Sequence, residues 1–513
     1  MRNRDLQAAW HFHNGTKHPN GYLLDPGHTY HPGNRPLLFK IYPELEPINL
    51  PVDRTEGKVP ALQALSSTVH PGVGGDEPGL GVLARLLHYS AGVTKRIHYP
   101  PPWGEMPFRA ASCTGALYHI ELYLICKDLP GLEAGVYHYV PDQSVLERLR
   151  QGDFRALLVE ASGDEPLVSR SPAILIYTTV PWRNACKYQA RAYRHAFWDS
   201  GTILSHTLAM ASRHELQARV VLGFVDETIV QLLDLDPDRE LPIGLVPIGE
   251  TFEDEPGDPG EPGPLNLEVM PTAEDEIHFP AIQEMHKASS LFAPEEVKAW
   301  REASGPLREM EPPANLLPLQ TIPEEELPHD SIERVILRRG SSRRFERASI
   351  PFSQLSTIIE RSDGDLPLDI LREGEGSLNQ LYLIVNSVSE LASGAYAYHR
   401  ETKALELIRA GRFRQEAGQL ALNQDLGADA SVNVYFMTSL RAVLARFGNR
   451  GYRAAQLEAA IMAGRLYLAA YALGLGATGL TFFDDEVVNF FSPHAKDKSV
   501  MFLIALGVPE RRR

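Results

Sequence analysis

Cysteine is scarce in this chain. Cys113, Cys126 and Cys186 are the three among 513 residues, and no two form a Cys-x-x-Cys pair. That excludes a disulfide framework and a cysteine-rich zinc fold, and it fits a reducing, cytoplasmic setting. Net positive charge is lacking as well. A formal charge of −16 excludes a general nucleic-acid binder, which needs a basic face, but not a local basic pocket. A membrane span needs about 20 continuous apolar residues, and none is present. The nearest approach, residues 459–483, is interrupted by Arg465 and four glycines and reads as a buried helix running into a Gly-rich turn. The N-terminal stretch MRNRDLQAAWHFHNG has no apolar signal core. His11, His13 and His18 lie close together, but no carboxylate or cysteine completes a metal set around them, so no metal is expected.

What the chain does have is the same unit twice. Residues 121–139, ELYLICKDLPGLEAGVYHY, recur as 380–398, QLYLIVNSVSELASGAYAY. The offset is 259, and it also relates Gly135 to Gly394, Lys187 to Arg446, Tyr193 to Tyr452 and Asp226 to Asp485. Solenoid repeats run about 20–50 residues, so these are two fused domain copies. The pattern divides the chain into an N-terminal arm (1–55), a first domain (56–250), an acidic Pro/Gly-rich linker (251–325) and a second domain (326–513). The linker segment EDEPGDPGEPGP cannot form a core and is expected to be solvated, with a short helix near 293–303. Each copy alternates helices with strands joined by hairpins. This predicts an α+β fold with helices flanking an antiparallel or mixed sheet.

The copies differ where chemistry would sit. The second opens with Arg338-Arg339-Gly340-Ser341-Ser342-Arg343-Arg344 before a helix. Guanidinium forks and hydroxyls at that density suit a phosphate, or make a solvated basic turn. The first copy has SSTVHPGV near 66–73, without arginine. After its long helix the second copy carries Gly476-Ala477-Thr478-Gly479, which lets backbone approach a flat ligand or simply caps the helix. The first copy has lost these glycines but keeps Ser112-Cys113-Thr114-Gly115-Ala116, small residues suited to lie under a planar ring, where the second has REGEGSLN. It also keeps Lys187-Tyr188, a proton-transfer pair or a surface lysine, where the second has Arg446-Phe447. Arginine gives up no proton near neutrality and phenylalanine has none to give.

Together these motifs resemble the flavin-dependent nitroreductase superfamily, and within it the SagB/ThcOx-type dehydrogenases, which oxidise azoline rings in modified peptides. SCTGALYHIELYL (112–124) is similar to that branch's small-residue motif, KYQARAYRHAFWDSG (187–201) to its Lys-Tyr helix, RRGSSRRF (338–345) to the superfamily's phosphate-binding start, and FHNGTKHP (12–19) with LFKIYPELEPINLP (38–51) to its N-terminal arm. Ala111 and Cys113 depart from the usual proline and small residue.

The resemblance implies two tandem nitroreductase-like domains forming an intramolecular pseudo-dimer, with FMN shared between them. Arg339, Ser341 and Arg343 would hold its phosphate, helped by Arg511–Arg513. Gly476, Ala477, Thr478 and Gly479 would lie beside the ring, and Ser112, Cys113, Thr114, Gly115 and Ala116 would reach it from the first domain. The mirror site would be empty. The implied activity is a dehydrogenase or oxidase with Lys187 or Tyr188 handling the proton, a small-molecule or modified-peptide substrate, and O2 or NAD(P)H as redox partner. An NAD(P)H-dependent nitro, quinone or enone reductase and a non-catalytic docking partner are the alternatives. No GxGxxG fingerprint occurs, which decides nothing between them. No nucleic acid or membrane partner is expected, and the chain would be a monomeric pseudo-dimer or a homodimer.

Overall fold

The computed structural model describes residues 2–510, except 20–31, 52, 54, 67–76, 101–103, 252–255, 258–259, 306, 308–314 and 373. Arg511–Arg513 and most of the first-copy counterpart of the arginine cluster lie outside the described residues.

Two antiparallel sheets carry the fold. The first holds β1 (Pro47–Asn49), β2 (Ile120–Cys126), β3 (Gly135–Val140), β4 (Val145–Gln151), β5 (Ala173–Thr179) and β6 (Leu241–Ile248), in the order β1-β4-β3-β2-β5-β6. The second holds β7 (Leu316–Pro318), β8 (Phe345–Glu346), β9 (Asn379–Val385), β10 (Gly394–His399), β11 (Ala404–Ala410), β12 (Val432–Thr438), β13 (Gly476–Gly479) and β14 (Ser499–Pro509). Its order is β8-β14-β12-β9-β10-β11-β7, with β13 added beside β14. Central strands such as β2, β5 and β12 are buried at every position, so both faces are covered and the sequence reads as continuous apolar runs.

The duplication extends to strand register. Ile120 pairs with Thr179 and Cys126 with Ala173; 259 residues on, Asn379 pairs with Thr438 and Val385 with Val432. Even the bulge recurs, at Val136/Tyr137 and at Ala395/Tyr396. A bulge shifts which side chains face the core, so its repetition keeps the inward set the same in both copies.

Two helices join the halves, α3 (Ala192–Arg213) and α8 (Arg450–Ala472), preceded in chain order by α1 (Leu80–Ala91) and α2 (Trp182–Tyr188). Residues on a two-fold axis meet their own counterparts. A Cβ added at Gly201 would lie 2.4 Å from Ala460 Cβ, and one at Gly464 would lie 2.2 Å from Ser205 Oγ. Each of these pairs is one repeat apart, so glycine lets the two helices touch at a pseudo-two-fold axis. The helix α8 is buried nearly all round, which explains its apolar sequence. No described helix is long and apolar enough to cross a membrane.

The halves are also locked by reciprocal ion pairs. Arg191 and Arg194 on the first reach Asp484 on the second, at 3.0 and 2.6 Å. Arg450 and Arg453 on the second reach Asp226 on the first, at 2.5 and 2.7 Å. The sequence offset paired Asp226 with Asp485, but the structural counterpart is Asp484. Asp485 is mostly exposed and pairs with Lys17. One residue of register is therefore lost between the long helix and this point.

The linker is only partly solvated. Helices Pro280–Ala288 and Pro294–Arg301 bury Ile282, Met285, Val297 and Trp300. Trp300 Nε1 donates to Phe447 O at 2.7 Å, and Arg446 Nε donates to Ala303 O at 2.8 Å. Apolar residues at helical spacing turn this acidic segment into a strap on the second half. The N-terminal arm docks as well: helix Gln7–Gly15 presents His13 O to Arg194 Nη2 at 2.6 Å.

Candidate functional site

The small-residue loop Ser112–Ala116 sits between the hairpin Val93–Tyr99/Gly104–Arg109 and β2. One carboxylate shapes it. Asp199 on α3 accepts from Thr114 N at 3.0 Å, Thr114 Oγ1 at 2.8 Å, Cys113 Sγ at 3.1 Å and His119 Nε2 at 2.8 Å. Thr202 Oγ1 donates to Ser112 O at 2.9 Å, one helical turn on. Desolvation and the Asp199 carboxylate push the Cys113 thiol well above its ordinary range, so it stays protonated and acts as a donor rather than a nucleophile. Gly115 has φ +67° and is exposed; a Cβ there would lie 3.0 Å from Tyr188 Oη. Glycine thus permits both the left-handed turn and the close approach of the tyrosine.

Tyr188 ends α2, packed edge-on against His195 with ring centres 4.9 Å apart. Burial and the Arg191 charge hold the His195 imidazole well below its usual range, so it is neutral. Its Nδ1 bonds Asn184 Oδ1 at 2.7 Å, and Asn184 Nδ2 donates to Thr114 O at 3.3 Å. One chain of contacts therefore fixes loop, tyrosine and helix together. Burial, with the Asp199 charge behind it, pushes the Tyr188 phenol up to about 12. Lys187 is exposed, its Nζ 5.2 Å from the Tyr188 ring centre.

The second half meets this loop through Arg339, which follows α5 (Ile332–Arg338). Its Nε donates to Ala110 O at 2.9 Å, two residues before Ser112. Its guanidinium lies 5.6 Å from the Tyr467 ring centre, and Tyr467 Oη donates to Ser341 Oγ at 3.0 Å. Ser341 bridges in parallel to Ala477, and Ser342 N donates to Ala477 O at 2.9 Å. The arginine cluster and the Gly-rich strand β13 are thus adjacent. A Cβ at Gly476 would fall 2.3 Å from Ser342 Oγ, which is buried and finds no partner among the described residues.

The structure therefore brings Arg339, Ser341, Gly476 and Ala477 to the edge of the first-half loop. Thr478 is buried and Gly479 exposed on the same strand. Arg343 is exposed and borders a separate surface cleft with Asp429 and Glu510. Sequence reading named Ser342 within the arginine cluster but did not single out Asp199, Asn184, His195 or Tyr467. For Tyr467 a signal existed: it stands where the first copy has Leu208.

The mirror position differs in shape. It is a cavity of about 50 Å³ lined by Leu65, Leu208, Leu216, Ala218 and Arg465. At the first position the residues fit a flat, anionic group: the Arg339 guanidinium, held by the Ala110 and Arg109 carbonyls, and hydroxyls on one side, an open loop of small residues on the other.

The nitroreductase family matches residues 336–508. A candidate nitroreductase of Methanocaldococcus jannaschii is 26% identical over 171 residues, 33% of this chain and 80% of that protein. The microcin B17-processing protein McbC of Escherichia coli is 28% identical over 145 residues, 27% of this chain and 53% of McbC. The chain thus spans about half the length of McbC. A crystal structure of a candidate nitroreductase from Anabaena variabilis superimposes over 98% of this chain and 99% of that one, with TM-score 0.76 and 24% identity. Residues 336–508 are therefore a nitroreductase-family domain, and the chain as a whole has the nitroreductase-like α+β fold, built twice.

Proposed function

We propose that the chain is an FMN-dependent dehydrogenase or oxidase of the SagB/ThcOx type, acting on an azoline-like ring in a peptide-derived substrate. The observation that carries this reading is the single composite site. Arg339 and Ser341–Ala477 come from one half and Ser112–Ala116 from the other, while among the described residues the mirror cavity is lined mainly by leucine and alanine side chains. Members of the nitroreductase family generally bind flavin, and McbC is named for processing a peptide. The proposed domain boundaries follow the repeat: 56–250 and 326–513, with 1–55 and 251–325 as arm and linker.

FMN bound there would supply the two-electron acceptor for a substrate C–H hydride, with oxygen available to reoxidise it. The rest falls to the protein. Arg339, with Ser341 and Ser342, would bind the phosphate, and Arg343 would join them only by swinging from its cleft. The Ser112–Ala116 loop would support the ring, and β13 would border it. Tyr188, protonated at neutral pH, would donate a hydrogen bond that orients the substrate. Lys187 would receive the accompanying proton once a bound peptide covers it and removes its water.

Arg339→Ala is expected to weaken FMN roughly 10- to 100-fold, the value of a charge-assisted hydrogen bond at about 1.5–3 kcal/mol, measured by flavin titration. Arg465→Met, at the mirror cavity, is expected to leave it unchanged. The activity is tested with a thiazoline peptide under air: each ring is expected to lose two hydrogens by mass spectrometry. An intact ring, together with rapid flavin bleaching by NADPH, would replace this reading with a reductase.

A further inference from the structure

Far from the proposed flavin loop in the chain, three side chains of the second half converge. His399 ends β10, Glu406 lies on β11, and His494 lies in the turn between α9 (Asp484–Phe491) and β14. His399 Nε2 is 2.7 Å and His494 Nε2 is 3.4 Å from the same oxygen, Glu406 Oε2. The three potential ligand atoms all lie within 4.8 Å of one another. We infer that His399, Glu406 and His494 form a binding site for a divalent transition-metal ion, with Zn2+ as its probe.

Two imidazoles and one carboxylate are a sufficient donor set for Zn2+. At Zn–N and Zn–O lengths of about 2.0–2.2 Å, tetrahedral ligand atoms stand roughly 3.4 Å apart. The His494–Glu406 separation already has this value, and the His399–Glu406 pair needs to open by about 0.7 Å, a small side-chain rotation. The side chains are 10%, 17% and 27% exposed for His399, Glu406 and His494. The three ligands can therefore be reached from solvent.

A ligating histidine needs its second ring nitrogen held by a partner, which fixes the tautomer. Tyr382 supplies it: its Oη is 2.9 Å from His494 Nδ1. The Tyr382 hydroxyl can give its own proton to Gln380 Oε1 or to His494 O, each 3.4 Å away. It is thereby left to accept from His494 Nδ1–H, turning the Nε2 lone pair toward Glu406 and the ion.

The arrangement belongs to one copy. Allowing for the one-residue slip, one repeat earlier stand Val140, Glu147 and Asp236, so neither histidine has a counterpart, and there Glu147 Oε2 bonds His138 Nδ1 at 3.0 Å. An ion held at the second-half site ties the β10–β11 hairpin to the turn that leads into β14.

The test uses the full-length, tag-free holoprotein, stripped with a chelator and titrated with Zn2+ by calorimetry, with bound metal counted after gel filtration. Wild type is expected to bind one more Zn2+ per chain than His494→Ala or Glu406→Gln, and to gain in melting temperature with Zn2+ where they do not. Tyr382→Phe, which keeps all three ligands, is expected to weaken binding about 10- to 100-fold. Cys113→Ser, in the other close set of potential ligands (Cys113, His119 and Asp199), is expected to bind at the second-half site as wild type does. Equal zinc content in wild type and the triad variants, or no binding by wild type, overturns the inference. Because Tyr382→Phe and Glu406→Gln are near-isosteric, loss of fold in His494→Ala leaves the comparison intact.

Discussion

Lys187→Ala is expected to lower turnover of an azoline substrate roughly 100- to 10,000-fold, the usual contribution of a positioned proton-transfer group, with flavin content unchanged. The loop that would support the ring is held by Asp199 and Thr202, not by Lys187, so the cofactor should stay. Tyr188 cannot replace the lysine as base, because its phenol is pushed up to about 12 by burial and so keeps its proton at neutral pH. Lys187→Arg separates charge from proton transfer: arginine preserves the cation but cannot give up its proton, so it should fail as alanine does. Tyr188→Phe should reduce turnover less and also keep flavin. The measurement is initial rate and released flavin on the same preparation. Unchanged turnover in Lys187→Ala would remove this residue from the mechanism.

The second large effect lies in the lock between halves. Asp226→Asn or Asp484→Asn leaves two arginines buried without their carboxylate, which costs about 3–5 kcal/mol. Asp485→Asn removes only an exposed pair with Lys17 and should change stability by at most about 1 kcal/mol. Chemical unfolding of the three variants decides between the two candidate partners of the Asp226 position. The same pairs govern acid stability. Burial alone would raise the Asp226 carboxyl, but Arg450 and Arg453, with His286 beside them, hold it at about 2, below the ordinary value near 4. Burial opposes and Arg191 and Arg194 depress the Asp484 carboxyl in the same way. A depressed carboxyl stabilises the fold fully above its unfolded value and ceases to do so as pH falls through its folded one. Stability should therefore decline between about pH 4 and pH 2. Asp226→Asn should be less stable at neutral pH and show a shallower decline over that range.

Much of this molecule is written in short stretches. The repeat, the central strands and the long helices follow from apolar runs and turn residues a few positions apart, and the strand register recurs at the offset read from the sequence. The links that fix the site are not local. Asp199 holds Thr114 across 85 residues, and Arg194 reaches Asp484 across 290. Nothing near either carboxylate distinguishes it from a surface acid. A one-residue slip was enough to move the apparent partner of Asp226 from Asp484 to Asp485. The linker was legible only in part: the short helix expected near 293–303 is present as Pro294–Arg301, with Trp300 buried, but the preceding helix Pro280–Ala288 and its buried Ile282 were hidden by the acidic composition. The Lys187-Tyr188 pair was legible as a motif, but the exposure of its lysine depends on how α2 is packed.

The most direct test of the account is the amount of FMN per chain in the purified protein, from the visible spectrum and quantified release of flavin. A site assembled once from two unlike halves predicts one FMN per chain, bound more weakly in Arg339→Ala and as in wild type in Arg465→Met. Two FMN per chain would mean that the mirror position binds as well. A colourless protein that takes up no added FMN would contradict the composite site altogether.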